Sequence, residues 1–192
     1  MRQIVPIVEG KGDALALPAL IRRILDEMGV RRAVQVKTPL HEKRGTLLRA
    51  GELERYTRLA LAKAGDDARV LLLIDADDDC AARLGPELQR RVDSVAAGSA
   101  VLAVREYENW LLADAAAFTR DSAFRDRISP PGNPENVEDA KRWLGARRID
   151  RRSYRPTIDQ ARLTELVDLQ IVRRRCQSFD KFWREVERLT TA

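Results

Sequence analysis

The sequence predicts an α/β fold, with a mostly parallel sheet and helices on its faces. Short apolar runs alternate along the chain with segments in which apolar residues recur at every third or fourth position. The run at residues 70–74 is apolar throughout, which is typical of a central parallel strand covered on both faces. Because strands that alternate with helices form βαβ units, we expect one open sheet with flanking helices.

A strand and a helix open the chain. Residues 4–8 predict a strand in which Pro6 lacks the N–H that a sheet ladder needs, so one side of the strand should be incompletely paired. Residues 14–28 predict a helix with Asp13 as its N-cap. The later elements of this half are predicted as strands at 33–36, 70–74 and 100–104, a loop at 37–45, and helices at 47–64 and 87–97.

After Tyr107 the sequence contains no further strong strand signal. Helices are predicted at 108–117, 135–144, 157–169 and 179–189, with a proline-rich loop at 129–134. We therefore divide the chain into an α/β core at residues 1–128 and a basic helical extension at residues 129–192. The extension should pack on the core, so that the two form a single structural domain.

Charge is distributed unevenly along the 192 residues. The whole chain carries 35 Lys and Arg against 30 Asp and Glu, a net charge of +5, and its sequence pI is about 9.5. Residues 1–140 have a net charge of −2, whereas residues 141–192 have a net charge of +7. A basic segment of this kind favours a polyanionic partner.

Composition excludes several classes of protein. No run of 18 or more apolar residues could span a membrane, and the apolar stretch at the N-terminus is too short for a signal peptide, so we expect a cytoplasmic protein. Two cysteines and one histidine exclude a disulfide framework and most zinc sites. A metal site should therefore use carboxylates, which suit Mg²⁺ or Mn²⁺.

Acidic residues follow three of the predicted strands. They are Glu9 after the first, Asp75, Asp77, Asp78 and Asp79 after the third, and Glu106 and Glu108 after the fourth. Ligands bind outside the carboxyl ends of strands in open parallel sheets, so these side chains should converge and attract one or two divalent cations. Extended backbone should aim Asp75 and Asp77 in the same direction, and Asp79 joins them only if the extension continues.

The turn after the first strand adds a basic residue. Lys11 lies between Gly10 and Gly12 at the start of a predicted helix, where glycines let a phosphate approach the backbone and the helix dipole favours anions. The spacing matches neither a P-loop nor a dinucleotide-binding turn. No GxxxxGK[ST] motif is present, so the chain shows no ATP-binding signature of its own.

Four segments together resemble a known family. They are VEGKGD at 8–13, DADDD at 75–79, REYENWLLA at 105–113 and NPE at 133–135. In these segments the chain resembles the DUF4276 family, a Toprim-like group of prokaryotic proteins, and the resemblance covers nearly the whole chain. It is more distantly similar to the Toprim domains of topoisomerases, bacterial primases and overcoming-lysogenization-defect (OLD) type nucleases.

The resemblance implies a Toprim-like, Rossmann-like core and roles for the acids. Glu9 corresponds to the glutamate thought to act as general acid or base in phosphoryl transfer, and Asp75 and Asp77 to the metal-binding Asp-x-Asp pair. No active-site tyrosine of the topoisomerase kind is evident, which argues against strand passage. Toprim nucleases often have further acids that bind a second metal ion, and the resemblance implies this role for Asp79, Glu106 or Glu108. It also implies that Lys11 binds a phosphate oxygen.

Arginines cluster in the basic extension. They predict contacts with the phosphate backbone of a nucleic acid, and such contacts do not depend on the base sequence. The alternative is that these arginines form an ordinary solvated surface. The residues concerned are Arg147, Arg148, Arg151, Arg152, Arg155, Arg173, Arg174 and Arg175.

We expect Mg²⁺- or Mn²⁺-dependent phosphodiester chemistry on nucleic acid, with a nuclease as the preferred function. The resemblance also implies a separate ATPase subunit as partner and a role in defence against phage, since related Toprim nucleases are fused to or encoded beside ATPases. Two alternatives stay open: a non-catalytic metal-binding scaffold for a partner, and a phosphatase that acts on small phosphate esters.

Overall fold

One parallel sheet forms the centre of the protein in the computed structural model, which describes residues 1–65 and 67–191. The strands in these residues are β1 (Arg2–Val8), β2 (Val34–Val36), β3 (Leu40–His41), β4 (Arg69–Asp75) and β5 (Gly98–Ala103). Their order is β2–β1–β4–β5, with β3 also beside β1, and each of these pairings is parallel. The predicted α/β fold with a mostly parallel sheet is confirmed.

Helices connect and cover the strands. The α-helices are α1 (Lys11–Glu27), α2 (Arg44–Leu47), α3 (Glu52–Ala64), α4 (Ala81–Asp93), α5 (Tyr107–Leu112), α6 (Ala140–Gly145), α7 (Ala161–Leu166), α8 (Leu169–Arg175) and α9 (Gln177–Thr191). Short 3₁₀-helices lie at Arg31–Ala33, Ala115–Arg120 and Pro134–Asn136, and a π-helix lies at Pro156–Gln160. Across residues 1–65 and 67–191, none of these helices combines the length and the apolar character needed to cross a bilayer.

Pro6 explains why β1 has two short neighbours on one side. β2 pairs with residues 2–4 and β3 pairs with residues 7–8, so Pro6 lies in the break between them. On its other side, β1 pairs continuously with β4, where Pro6 lies opposite Leu71. Because proline cannot donate a ladder hydrogen bond, it is tolerated at this break, and the predicted incomplete pairing is confirmed.

Two predicted helix boundaries are wrong for local reasons. Helix α1 begins at Lys11, so Asp13 is its third residue, and the Asp13 carboxylate accepts a hydrogen bond from the Gly10 N–H at 3.1 Å. The helix predicted at 47–64 is interrupted at Gly51, whose φ of +78° belongs to the left-handed region that glycine adopts without strain.

Two hydrophobic clusters cover opposite faces of the sheet. Ile4 and Val8 of β1 belong to the cluster that contains α1 and the helices from α5 onwards. Val5 and Ile7, which alternate with them, belong to the cluster that contains residues of α2, α3 and α4. The sheet therefore has an α1 face and an α3 face, and each is covered by helices.

The C-terminal extension shares its packing with the core. The Trp110 ring of α5 lies 5.2 Å from the Phe179 ring and 5.3 Å from the Phe182 ring, both on α9. Arg23 of α1 donates a hydrogen bond to the Thr164 carbonyl at 2.5 Å. One hydrophobic cluster thus extends across the predicted boundary between residues 128 and 129.

Candidate functional site

A cavity of about 300 Å³ opens at the carboxyl ends of β1 and β4. Its walls are the Gly10–Gly12 turn, the start of α1, and residues of the π-helix. The titratable side chains that line it are Glu9, Lys11, Asp13, Asp75, Glu108 and Lys141. Four carboxyl groups and two amines therefore share one recess at the sheet edge where ligands of parallel sheets bind.

Glu9 and Asp75 lie at the ends of neighbouring strands. The Asp75 Oδ1 atom accepts a hydrogen bond from the Tyr107 N–H at 2.8 Å, whereas the buried Glu9 Oε2 atom has no hydrogen-bond partner. Burial, with Asp13 and Asp77 nearby, raises the pKa of Glu9 to about 7. Burial and the adjacent Asp13 and Glu9 also raise the pKa of Asp75 well above its usual range. These groups therefore repel one another when ionised.

Asp13 is held from both sides. Its Oδ2 atom accepts from the Gly10 N–H, and its Oδ1 atom accepts from the Gln160 side-chain amide at 2.6 Å. Burial raises the pKa of Asp13, and the hydrogen bond from Gln160 opposes that increase. Gln160 thus fastens the C-terminal extension to the acidic recess, a contact that the sequence does not reveal.

Glu108 and Lys141 form the opposite wall of the cavity. The Glu108 residue is only 2% exposed, and its burial raises the pKa of the carboxyl to about 7. The Lys141 Nζ atom lies 3.3 Å from the Glu108 Oε2 atom. Burial alone would lower the pKa of Lys141, but Glu108 and Glu106 outweigh it and raise that pKa, so the amine stays charged.

Glu106 contacts Lys141 and does not line the cavity. Its Oε1 atom accepts from the Lys141 backbone N–H at 3.1 Å, and its Oε2 atom accepts from the Lys141 ammonium group. Of the two acids that follow β5, Glu108 is therefore the cavity residue and Glu106 positions Lys141.

The Asp-x-Asp segment does not stay extended. Asp77 lies in a turn with a left-handed φ of +50°, so the extended backbone assumed for the pair ends at Asp75, and a metal site shared by Asp75 and Asp77 stays a prediction. Asp77 and Asp79 lie outside the cavity, with side chains 60% and 55% exposed. Arg44 forms an ion pair with Asp79 and lies 3.6 Å from Asp77 and 4.0 Å from Glu9.

The cavity has the donor set that a hard cation needs. In the described residues no group of three acidic, cysteine or histidine side chains is close enough, as arranged, to hold a metal ion. The Glu9 Oε2 atom accepts no hydrogen bond, although the Arg44 guanidinium lies 4.0 Å away. That available oxygen and the crowding of four carboxyl groups nevertheless fit Mg²⁺ or Mn²⁺, which bind carboxylate oxygens. Glu9 and Asp75 would hold the ion, with Asp13 and Glu108 beside them.

Three of the predicted nucleic-acid-binding arginines form contacts within the protein. Arg148 is almost buried and pairs with Asp159 at 2.8 Å. Arg173 pairs with Asp180 at 2.8 Å, and Arg175 donates hydrogen bonds to backbone carbonyls. These contacts stabilise the extension and leave little of the three guanidinium groups for a ligand.

The other predicted arginines lie nearer the surface. Arg147 stacks on the Trp143 ring with its guanidinium carbon 3.3 Å from the ring centroid. The exposed members of the set are Arg151, Arg152, Arg155 and Arg174.

A basic groove adjoins the acidic cavity. It has a volume of about 660 Å³ and is lined by Lys141, Arg142, Arg151 and Arg152. Its other lining residues are Asp139, Tyr154 and the small residues Gly145, Ala146 and Ser153. Lys141 lines both the cavity and the groove. The groove therefore joins the carboxylate recess at one shared amine.

These features define an α/β protein with an acidic cavity at the carboxyl edge of its sheet and a basic groove beside it. The chain belongs to the DUF4276 family, because the model of this family, described as a domain of unknown function, matches residues 8–187. The family membership predicted from the four motifs is thereby confirmed, while the relation to Toprim domains stays a prediction. No curated protein and no solved structure matches the chain.

Proposed function

We propose that the protein is a Mg²⁺- or Mn²⁺-dependent phosphodiesterase that acts on nucleic acid, most simply a nuclease. The observation that carries this proposal is that Lys141 lines both the carboxylate cavity and the basic groove, so the two lie side by side. A metal-dependent nuclease needs carboxylates that bind its metal ions and, close by, basic side chains that bind the phosphates of the substrate. The cavity supplies the carboxylates and the groove supplies the basic side chains.

The cation would be held by Glu9 and Asp75, whose carboxyl groups repel each other without one. When bound, it would stabilise the negative charge that develops on the phosphate oxygens. Asp13 is held by Gly10 and Gln160, so its carboxylate is oriented towards the same recess before any ligand arrives. The protein thereby avoids rearranging this wall when substrate binds.

The lysines of the cavity can bind phosphate. Burial raises the pKa of Glu9 to about 7 in the cation-free protein, so Glu9 would release the proton that it partly retains near neutral pH when it binds the cation. Lys141 carries a positive charge at the junction of cavity and groove, where it can contact a phosphate oxygen. Lys11 lines the same cavity from the first turn of α1 and offers a second cation.

Wider features of the proposal rest on the sequence resemblance alone. They are a Toprim relationship, cooperation with a separate ATPase subunit and a role in phage defence. The proposed cytoplasmic location rests instead on the composition of the sequence. Co-purification of the tagged protein from its own host would test the ATPase partner, and recovery without an ATPase would contradict that part.

The proposal is tested by incubating the purified protein with plasmid DNA, single-stranded DNA and RNA in Mg²⁺, Mn²⁺ or EDTA. We expect cleavage that requires a divalent cation and that falls at least about 100-fold in Asp75→Asn. Asp114→Asn is the matched control, because Asp114 is also a buried carboxyl group but lies outside the cavity. Absence of cleavage under every condition would contradict the nuclease function.

The same experiment separates the two alternative functions. A scaffold would cut nothing, and its Asp75→Asn variant would still bind its partner. A small-molecule phosphatase would hydrolyse aryl phosphates and would show little salt-dependent affinity for nucleic acid.

A further inference from the structure

Surfaces of opposite charge border the cavity. The basic groove meets it at Lys141, on the α1 face of the sheet. The loop after β4 meets it at Glu9, because Arg44 lies 4.0 Å from Glu9 and 3.6 Å from Asp77. Asp77, Asp78 and Asp79 of this loop are all exposed, and Asp78 is fully so. The cavity thus has a basic surface at one border and an acidic surface at another. A surface that bound phosphates in general would be basic at both.

The groove presents cations that are free to bind a ligand. Arg142, Arg151 and Arg152 are exposed, and within residues 1–65 and 67–191 none of them forms a salt bridge. Asp139 is the acid of the groove, and its Oδ1 atom is occupied as the N-cap of α6, where it accepts the Arg142 N–H at 2.8 Å. Lys141 lies at the cavity end of the groove and, unlike these arginines, is already ion-paired with Glu106 and Glu108.

The segment that carries two of these arginines is fixed by buried contacts. Asp159 accepts hydrogen bonds from the Arg148 guanidinium and from the Arg155 N–H, both at 2.8 Å, and Asp159 is only 2% exposed. These contacts anchor the chain on both sides of Arg151 and Arg152. The backbone that carries these two arginines is therefore ordered before a ligand binds, while their exposed side chains stay free to adjust to it.

The acidic loop keeps a net negative charge despite two nearby arginines. Arg44 pairs with Asp79, and Arg105 lies 3.9 Å from Asp78 and 4.0 Å from the exposed Glu138. In each of these contacts the positive charge of an arginine is balanced by a nearby carboxylate, so the arginines do not make the loop basic. A phosphate that approached this side would therefore be repelled.

We propose that the groove binds the backbone of single-stranded nucleic acid and that the acidic loop disfavours a duplex. A single strand can follow Arg151, Arg152 and Arg142 to Lys141 with its phosphates on the basic side only. A duplex carries two phosphate backbones, so one of them would face Asp77, Asp78 and Asp79 when the other occupies the groove. Cleavage of the bound strand rests on the proposed function, whereas its binding in the groove does not.

Fluorescence anisotropy in EDTA tests the proposal without catalysis. The probes are a short fluorescein-labelled single strand as DNA, the same sequence as RNA, and the matching DNA duplex. We expect the wild-type protein to bind at least one single strand about tenfold or more tightly than the duplex, and the two strand chemistries tell DNA from RNA. Comparable or tighter binding of the duplex, or no binding of either strand, would overturn the proposal.

Paired variants locate the binding surface. The double change Arg151→Ala with Arg152→Ala should weaken single-strand binding about tenfold or more and lower the salt dependence by the equivalent of about two phosphate contacts. Arg174→Ala is the control, because this arginine is exposed on α8 and does not line the groove. Equal losses in both variants, or none in the double variant, would contradict the assignment.

The acidic loop is tested separately through Asp78, which does not line the cavity. Asp78→Lys should increase duplex affinity while leaving single-strand affinity within about twofold. An unchanged preference would show that the loop does not discriminate. A protein that binds single strands in this way but cleaves nothing in Mg²⁺ or Mn²⁺ would support this inference and contradict the proposed nuclease.

Discussion

Gly12 is the residue at which the two parts of the chain meet most closely. A Cβ atom at this position would overlap the Gln160 side chain and would lie 2.6 Å from the Pro156 Cβ atom. The first turn of α1 can therefore contact the π-helix only because residue 12 has no side chain. The same contact places Gln160 against Asp13.

Gly12→Ala should consequently destabilise the protein by about 1–3 kcal/mol, as other overpacked sites do. Urea unfolding monitored by tryptophan fluorescence measures the loss. Gly132→Ala is the control, because nothing lies within 4 Å of an added Cβ there. Equal stability of the two variants would show that the close contact between α1 and the π-helix is not maintained in solution.

Glu108 makes stability depend on pH in a direction opposite to that of an ordinary surface acid. Its folded-state pKa of about 7 lies above its usual value of 4.5, so the folded protein retains a proton that the unfolded chain releases. That contribution is present at low pH and is lost as the pH rises towards 7, by up to about 1.4 kcal/mol per pH unit.

In EDTA, the free energy of unfolding should therefore fall between pH 5 and pH 7, and Glu108→Gln should reduce the slope. Glu9, with a similar pKa, contributes in the same direction. Urea titrations at several pH values check this result. A flat or rising profile for the wild-type protein would contradict the assigned environment of both carboxyl groups.

Individual site residues differ in how far the sequence predicts them. Glu9 and Asp75 end apolar strands, so their place at the sheet edge follows from the pattern. Asp77 is misplaced by the same reasoning, because a left-handed residue is not visible in a run of aspartates. Gln160 and Lys141 reach the cavity from distant segments, and no local spacing encodes that approach.

At the scale of elements, the π-helix and the loop before it are held by one buried carboxylate. Asp159 pairs with Arg148 at 2.8 Å and with Arg162 at 2.6 Å. Arg148 also pairs with Asp150, and Arg162 also pairs with Asp121, so Asp159 is the carboxylate that both arginines share. The network therefore fixes the segment that supplies both a cavity wall and the groove arginines.

Asp159→Ala should destabilise the protein by about 1–3 kcal/mol, because it removes charge-assisted hydrogen bonds, and should increase hydrogen exchange in residues 147–160. Asp150→Ala is the comparison, since Asp150 pairs with the same Arg148 but is more exposed and should cost much less. Similar losses of stability in the two variants would contradict the expectation that the more buried carboxylate contributes more to the free energy of unfolding.

Strands were easier to predict than helices in this chain. The runs at 4–8, 70–74 and 100–104 correspond to β1, β4 and β5, because each is apolar on both faces. β3 was missed because two residues carry no pattern. The helix predicted at 157–169 divides into the π-helix, α7 and the first residue of α8. The sequence does not predict α8 as a separate helix, because its seven residues are too few to show a helical apolar period.

At the scale of the whole molecule, acidic residues cluster at the carboxyl edge of the sheet and basic residues cluster in the C-terminal extension. The net charge of −2 in residues 1–140 and +7 in residues 141–192 predicted a basic extension beside an acidic edge. The charge counts do not show which arginines form contacts within the protein. Arg148, Arg173 and Arg175 contact their partners only in the folded chain. The groove accordingly uses a smaller set than the sequence suggests.

The central claim is that the cavity formed by Glu9, Asp13, Asp75 and Glu108 binds a divalent cation. Titration with Mn²⁺, followed by electron paramagnetic resonance, measures that binding directly in the wild-type protein, in Asp75→Asn and in the control Asp114→Asn. We predict saturable binding by the wild-type and control proteins and an affinity at least about tenfold lower in Asp75→Asn. Equal affinity in all three proteins, or no saturable binding by the wild-type protein, would contradict the claim.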